Sequence, residues 1–279
     1  MKNILVPCDF SAESREAYQF ALQLAATAGG TVSVLKAIDL PVMYESALGA
    51  APYYFDPTLI KELKDDAYAQ FEKMKSKYAT SVPVTFVVQE GPVTPTIRQF
   101  IKDRSIDQVV MGTRGASGIA EYLIGSNTEK VVRFSPVPVF SIRKAPDLKT
   151  IRNIIFPTTL ELNQEQLLSE IKKLQQFFQA KLHLLIINTP YNLQRTSDET
   201  KKMEAFAEHY QLENYTLNTR DDFREPNGII GFALEIKADM IAMGTHGRRG
   251  LAHLFAGSIT EEVVNHVDCP IWTLSTHKN

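Results

Sequence analysis

The sequence is poor in several features, and each shortage excludes a class of protein. It contains two cysteines, Cys8 and Cys269, which are too few for a disulfide framework and lack metal-ligand spacing. Acidic and basic residues nearly balance to a formal net charge of -2, so no basic excess indicates a nucleic-acid partner. No uninterrupted apolar stretch is long enough to span a bilayer. The opening MKNILVPCDFS has a shorter apolar run than a signal peptide, and these features together predict a cytoplasmic protein.

Motifs for metal binding and phosphoryl transfer are lacking as well. The six histidines show no pairing typical of a metal site. The sequence contains neither the Walker A lysine motif nor an SGGxDS-type loop, and no general base stands out beside a glycine-rich loop. We therefore assign no metal ligand and no catalytic residue.

What the sequence does contain is an internal repeat. MGTRGASGIAEYLIGSNTEKVV begins at Met111 and MGTHGRRGLAHLFAGSITEEVV at Met243, and both read G-x-x-G, nine residues, then G-S. This register holds at a spacing of 132 residues, whereas NILVP at Asn3 matches NIIFP at Asn153 at a spacing of 150. We therefore predict two domains, residues 1–145 and 150–279, the second with a shorter middle. The polar segment RKAPDLKT between them is predicted to be a hinge.

Each half alternates short apolar runs with segments of helical periodicity. Ile4 to Val6 reads as a strand, and Ser11 is a suitable N-cap for the amphipathic segment that follows. DQVVMG reads as a buried strand, and a helix opens near Ser126. Alternating strands and helices predict an α/β fold of two tandem doubly wound domains, each a five-stranded, mostly parallel sheet with helices on both faces.

The glycine segment has two interpretations. Glycines at the end of a strand let the backbone approach a ligand closely, and Gly125-Ser126 at a helix N-terminus favours an anion such as a phosphate, with a hydroxyl from Ser126 or Thr128 as a further donor. Alternatively, S-x-x-E is a capping box, which fits Ser126 to Glu129 and also Ser258 to Glu261. The upstream pair of glycines is not explained by capping, and both interpretations stay open on the residues alone.

Combined with the N-terminal ILVPCDFS, the G-2x-G-9x-G-S pattern resembles that of the universal stress protein (UspA) family in a tandem form, over essentially the whole chain. The resemblance implies a strand order of 3-2-1-4-5 in each half, so that strands 1 and 4 end side by side at a switch point. It also implies an ATP site, with or without Mg²⁺. The residues expected to hold adenine and ribose are Pro7, Asp9, Ala37 and Met111, and those expected to hold phosphates are Gly112, Gly115, Gly125, Ser126, Asn127 and Thr128. Arg114 is left open between a phosphate contact and an exposed surface position.

The second half departs from this pattern on the ribose side. Thr159 stands where the first half has Asp9, and a hydroxyl is a weaker hydrogen-bond acceptor than a carboxylate. The phosphate side is retained, by Gly244, Gly247, Gly257, Ser258 and Thr260, while His246 replaces Arg114. We predict a nucleotide in the first half and weaker or no binding in the second.

The leading functional hypothesis is an ATP-binding stress-response module, whose ligand alters a surface read by an unidentified protein partner. The resemblance further implies that the fifth strands, in VPVFSI and CPIWTL, pair the two halves within one chain, and a homodimer stays open. Two alternatives remain: a slow ATPase or nucleotidyl-transfer enzyme, and a scaffold that keeps the glycines for folding alone.

Overall fold

The structure is a computed structural model that describes residues 1–39, 57–113, 125–190, 196–245 and 258–275. The first half contains β1 (Asn3–Pro7), α1 (Ala12–Ala28), β2 (Thr31–Ile38), α2 (Pro57–Lys75), β3 (Val84–Glu90), α3 (Val93–Asp103), β4 (Gln108–Gly112), α4 (Ser126–Phe134) and β5 (Val139–Ile142). After a short 3-10 turn, Leu148–Thr150, the second half contains β6 (Asn153–Pro157), α5 (Glu165–Phe178), β7 (Lys181–Asn188), α6 (Thr196–His209), β8 (Tyr215–Asp221), α7 (Glu225–Glu235), β9 (Met240–Thr245), α8 (Ser258–His266) and β10 (Ile271–Ser275). Within the described residues, no helix is long and apolar enough to cross a membrane.

All ten strands belong to one sheet, in the order β3-β2-β1-β4-β5-β10-β9-β6-β7-β8. Neighbouring strands within each half are parallel, and the β5–β10 pair at the centre is antiparallel. The predicted fold class, two tandem doubly wound α/β units, is confirmed. In each half the switch point lies between the first and fourth strands, β1 and β4 or β6 and β9.

The centre of the sheet is a pair of buried aromatic residues. Phe140 on β5 is directly opposite Trp272 on β10, and the two occupy equivalent positions of the repeat. An approximate twofold axis therefore passes between them. Phe20 from α1 packs edge-on against Phe140, with ring centroids 5.2 Å apart. Trp272 is the only tryptophan of the chain, so its fluorescence reports directly on the junction of the halves.

The two faces of the sheet are packed differently. On one face, helices α1, α2, α5 and α6 cover a single hydrophobic cluster that runs through both halves, from Ile4 to Leu274. On the other face, α3 and α4 cover one cluster and α7 and α8 cover another. The shared cluster joins the halves into one core because side chains of both contribute to it.

The linker between the halves, which was predicted to be a hinge, is hydrogen-bonded to side chains of α1. The Gln23 side chain donates to the Pro146 carbonyl (3.1 Å) and accepts from the Leu148 N–H (3.3 Å). The Ala145 N–H donates to the Glu16 carboxylate at 2.8 Å. Two side chains of α1, Gln23 and Glu16, therefore bind three backbone groups of this polar segment and hold it against the helix.

Local sequence signals explain how α1 begins and ends. The Ser11 hydroxyl accepts a hydrogen bond from the Ser14 N–H at 3.2 Å, which confirms the predicted N-cap. Gly29 adopts the left-handed conformation (φ 62°) that ends the helix. A Cβ on the next residue, Gly30, would lie 2.3 Å from the Lys2 carbonyl oxygen, so β2 can start beside β1 only with a glycine there.

A repeated aspartate fixes the amino end of each half-sheet. Asp107 accepts from the N–H groups of Lys2 and Asn3, and Asp239 accepts from those of Arg152 and Asn153. These aspartates lie at the end of the sheet opposite to the switch-point crevices. Their repetition is therefore explained by the start of β1 and β6.

His183 on β7 belongs to a hydrogen-bonded network in the second half that includes Asp239. Its Nδ1 lies 2.8 Å from Thr216 Oγ1 and its Nε2 lies 3.2 Å from Asn153 Oδ1, while the Asn153 amide donates to Asp239 at 3.2 Å. This arrangement assigns the proton to Nε2, because Asn153 Oδ1 can only accept. Burial, and secondarily the charge of Lys181, lowers the pKa of His183 below its usual value.

We expect acid to weaken the fold through His183. Because its pKa is lowered on folding, the unfolded chain takes up the proton first, so the stabilising contribution is complete above the unfolded pKa of about 6.5 and is lost as the pH falls through the folded pKa. The urea midpoint of the wild type should fall more between pH 7 and pH 5 than that of His183→Gln. His209→Gln, an exposed control, should follow the wild type. Identical pH profiles for all three proteins would refute this role.

Gln23→Ala should destabilise the protein, because it leaves two linker backbone groups without their partner. The expected loss in the free energy of unfolding is about 1–2 kcal/mol, measured by urea titration with Trp272 fluorescence. Gln19→Ala, on the same helix at a position without a side-chain hydrogen bond among the described residues, is the matched control. Equal stability of the two variants would show that the linker contacts contribute nothing.

Candidate functional site

The crevice begins where β1 ends. The Cys8 N–H still pairs with the Leu35 carbonyl of β2 at 2.9 Å, and Asp9 then leaves the sheet. The Asp9 carboxylate accepts the Ser11 N–H at 3.0 Å, which orients it just ahead of α1. Phe10 has a φ of 64°, an uncommon conformation for a bulky residue, and its ring is buried. The turn therefore places a carboxylate at the mouth of the switch point.

The opposite wall is the start of α4, and here the capping-box prediction is wrong. Gly125 is the N-cap, Ser126 is the first helical residue, and no side chain caps this end. Gly125 is held by a hydrogen bond from its N–H to the Thr113 carbonyl at 2.8 Å. A glycine N-cap leaves the first helical N–H groups without a side-chain acceptor, and such groups favour an anion.

The Thr128 hydroxyl has a partner within the fold. Its hydroxyl donates to the Gly112 carbonyl at 2.8 Å, and its side chain is buried. The hydroxyl proton is therefore used to fasten α4 to the end of β4 and is not available as a phosphate donor. Ser126 and Asn127, in contrast, are exposed at the helix N-terminus.

Gly112 is explained by packing against α1. A Cβ at this position would lie 2.7 Å from the backbone carbon of Glu13, closer than real side chains approach. Its φ is not in the left-handed region, so backbone conformation does not require a glycine here. The scaffold hypothesis therefore accounts for Gly112.

One cleft brings most of the predicted first-half residues together. Its lining includes nine of them: Pro7, Asp9, Ala37, Met111, Gly112, Gly125, Ser126, Asn127 and Thr128. The other two, Arg114 and Gly115, lie outside the described residues. The structure brings the nine lining residues together, and their binding of a nucleotide stays a prediction.

Six further residues line the same cleft and were not predicted: Cys8, Ser14, Leu35, Lys36, Val93 and Ile97. Cys8 and Lys36 directly precede predicted contacts, so their neighbours in sequence were a usable signal. Val93 and Ile97 belong to α3, which carries no motif and reaches the cleft only through the crossover from β3. The Cys8 thiol lies 3.6 Å from the Ser14 hydroxyl, and burial raises its pKa, so it is not a reactive thiolate.

The second half repeats the backbone of this crevice without its carboxylate. The Thr158 N–H pairs with the Leu185 carbonyl at 2.9 Å, as the Cys8 N–H pairs with that of Leu35. Leu160 has a φ of 61°, which matches that of Phe10. Thr159 is exposed at the position of Asp9. Gly244 is the penultimate residue of β9, Ser258 is the first residue of α8, and Thr260 is half-buried. Gly247, Gly257 and His246 lie outside the described residues.

Metal ligands do not cluster in the part of the chain that the structure describes. No group of three or more histidine, cysteine, aspartate or glutamate side chains there could hold an ion. The described cleft offers backbone N–H groups, the hydroxyl of Ser126, the amide of Asn127, one carboxylate and one lysine.

The fold and the cleft define a tandem doubly wound α/β protein with a candidate ligand site at a switch point. A model of the universal stress protein family matches residues 1–143 and again residues 150–275, so the chain belongs to this family. It is 22% identical over 293 residues to universal stress protein Slr1230 of Synechocystis sp., covering 98% of this chain and 99% of that one. A universal stress protein from Archaeoglobus fulgidus has the same fold, with a TM-score of 0.75 at 19% identity and coverage of 99% and 98%.

Thr128→Val should lower the free energy of unfolding by about 1–2 kcal/mol, because the Gly112 carbonyl loses a buried donor while the side-chain shape is kept. Thr128→Ser keeps the hydroxyl and should retain most of this hydrogen bond. Urea titration monitored by Trp272 fluorescence measures both variants. If the valine variant is as stable as the wild type, Thr128 does not fasten α4 to β4.

Proposed function

We propose that the first half binds an adenine nucleotide, ATP in particular, in the cleft between β1 and β4. The observation that carries this proposal is the juxtaposition of the Asp9 carboxylate with the uncapped N-terminus of α4. A nucleotide presents ribose hydroxyls, which a carboxylate accepts well, and phosphates, which a helix N-terminus attracts. The two walls of the cleft match those two parts of one molecule.

Each part of the ligand has a partner of suitable chemistry in the cleft. The backbone of Ala37, at the end of β2, offers an N–H and a carbonyl to the edge of adenine, with Pro7 and Met111 as apolar walls. Asp9 accepts the ribose hydroxyls. The N–H groups of Ser126 and Asn127 and the Ser126 hydroxyl bind phosphate oxygens, and a Mg²⁺ ion would arrive with the phosphates of ATP.

The proposed role is binding rather than catalysis. Asp9 lies on the ribose side of the cleft, and the described lining offers no histidine or second carboxylate to activate a water molecule beside the phosphates. We infer that ligand occupancy changes the surface around the α4 N-terminus and that a protein partner reads this surface. The second half, with Thr159 in place of Asp9, binds more weakly or not at all.

Purified protein, denatured and analysed by chromatography, should release adenine nucleotide, and the emptied protein should bind ATP with Mg²⁺ in calorimetry. Asp9→Asn should raise the Kd for ATP about tenfold, because a charged acceptor for the ribose is lost while the amide oxygen can still accept the Ser11 N–H. Thr159→Asn, the matched change in the second half, should leave the main binding event unchanged.

Three outcomes would contradict the proposal. Absence of both released nucleotide and ATP affinity would favour the scaffold. Equal effects of the Asp9 and Thr159 variants would refute the preference for the first half. Turnover of ATP that disappears in a single side-chain variant while binding persists would favour an enzyme.

A further inference from the structure

Lys36 is a charged residue near the end of the otherwise largely apolar strand β2. It lies two residues after Val34, so it shares the face of the sheet that Val32 and Val34 turn toward the shared hydrophobic cluster. The residue is half-buried and belongs to the lining of the cleft. Its ammonium nitrogen lies 5.8 Å from the ring centroid of Phe10, over a buried aromatic face.

The second half shows what the fold alone requires at this position. The residue equivalent to Lys36 is Ile186, which packs against the same hydrophobic cluster. The surrounding backbone is the same in both halves, as the matched Cys8 and Thr158 hydrogen bonds show. An aliphatic residue therefore suits the site, whereas a lysine must restrict a longer side chain. Packing does not account for Lys36.

Lys36 and Asp9 carry opposite charges, and both residues line the cleft. They are the charged side chains of the described lining, and no carboxylate among the described residues lies within ion-pairing distance of the Lys36 nitrogen. Burial raises the pKa of Cys8, and of the two charges that of Asp9 raises it further whereas that of Lys36 opposes the rise. In the second half both charges are absent, since Thr159 and Ile186 replace them.

We propose that Lys36 makes this cleft selective for a ligand that carries phosphate charge, by offsetting the charge of Asp9 and attracting the anionic part of the nucleotide. This inference rests on the proposed nucleotide site. Asp9 serves the ribose, but its charge repels a polyphosphate, and without Lys36 the described lining has a net negative charge. A nucleoside gains little from the ammonium, whereas ATP gains directly.

The test compares ATP and adenosine as calorimetric ligands for the full chain. Lys36→Ile, which copies the second half, should raise the Kd for ATP about tenfold and change that for adenosine less than twofold. Lys36→Arg should retain most of the ATP affinity, because it keeps the charge. Lys64→Gln is the control, since it removes a lysine of the same half that pairs with Glu90 outside the cleft lining. Added salt should weaken ATP binding more in the wild type than in Lys36→Ile.

Thermal unfolding separates this role from a structural one. Lys36→Ile should keep or raise the Tm, because the fold accepts isoleucine at the equivalent position. A lowered Tm with equal losses for ATP and adenosine would overturn the inference and make Lys36 a packing residue. Wild-type ATP binding with unchanged selectivity in Lys36→Ile would refute the inference alone. Failure of the wild type to bind any nucleotide would refute it together with the proposed function.

Discussion

The antiparallel pairing of β5 with β10 is the interaction on which the rest of the structure depends. Each half alone would expose its fifth strand as an open edge, which invites association with other chains. It would also expose part of the cluster that lies under α1 and α5, because Phe140 and Trp272 contribute to the same core. Pairing the two edges removes both problems at once. The side-chain contacts of Gln23 and Glu16 then hold the connecting segment against α1.

Much of this arrangement could be predicted from the sequence, for a physical reason. Strand ends are marked by Pro7, Asp9 and Gly112, and in a parallel sheet the carboxyl ends of adjacent strands must meet. The failures are equally specific. S-x-x-E fits an N-cap at Ser126, but Gly125 takes that position because its N–H is held by Thr113. The tertiary contact between Gly112 and Glu13 leaves no trace in either local sequence.

The glycines that both halves share and the charged side chains that only the first half has call for different explanations. Gly112 is required because α1 approaches β4 too closely for a Cβ, so its presence says little about a ligand. Thr159 and Ile186 occupy the positions of Asp9 and Lys36 in the second half, so the same backbone forms there without either charge. Two copies of one fold in one chain thus provide an internal comparison.

The antiparallel central pair has one further consequence. Strands of the first half point one way and those of the second half point the other, so their switch points open at opposite ends of the sheet. The two crevices cannot share a ligand, and a partner that covers one leaves the other in solvent. The two ends of the sheet therefore differ in charge, because Asp9 and Lys36 lie at one end and Thr159 and Ile186 at the other.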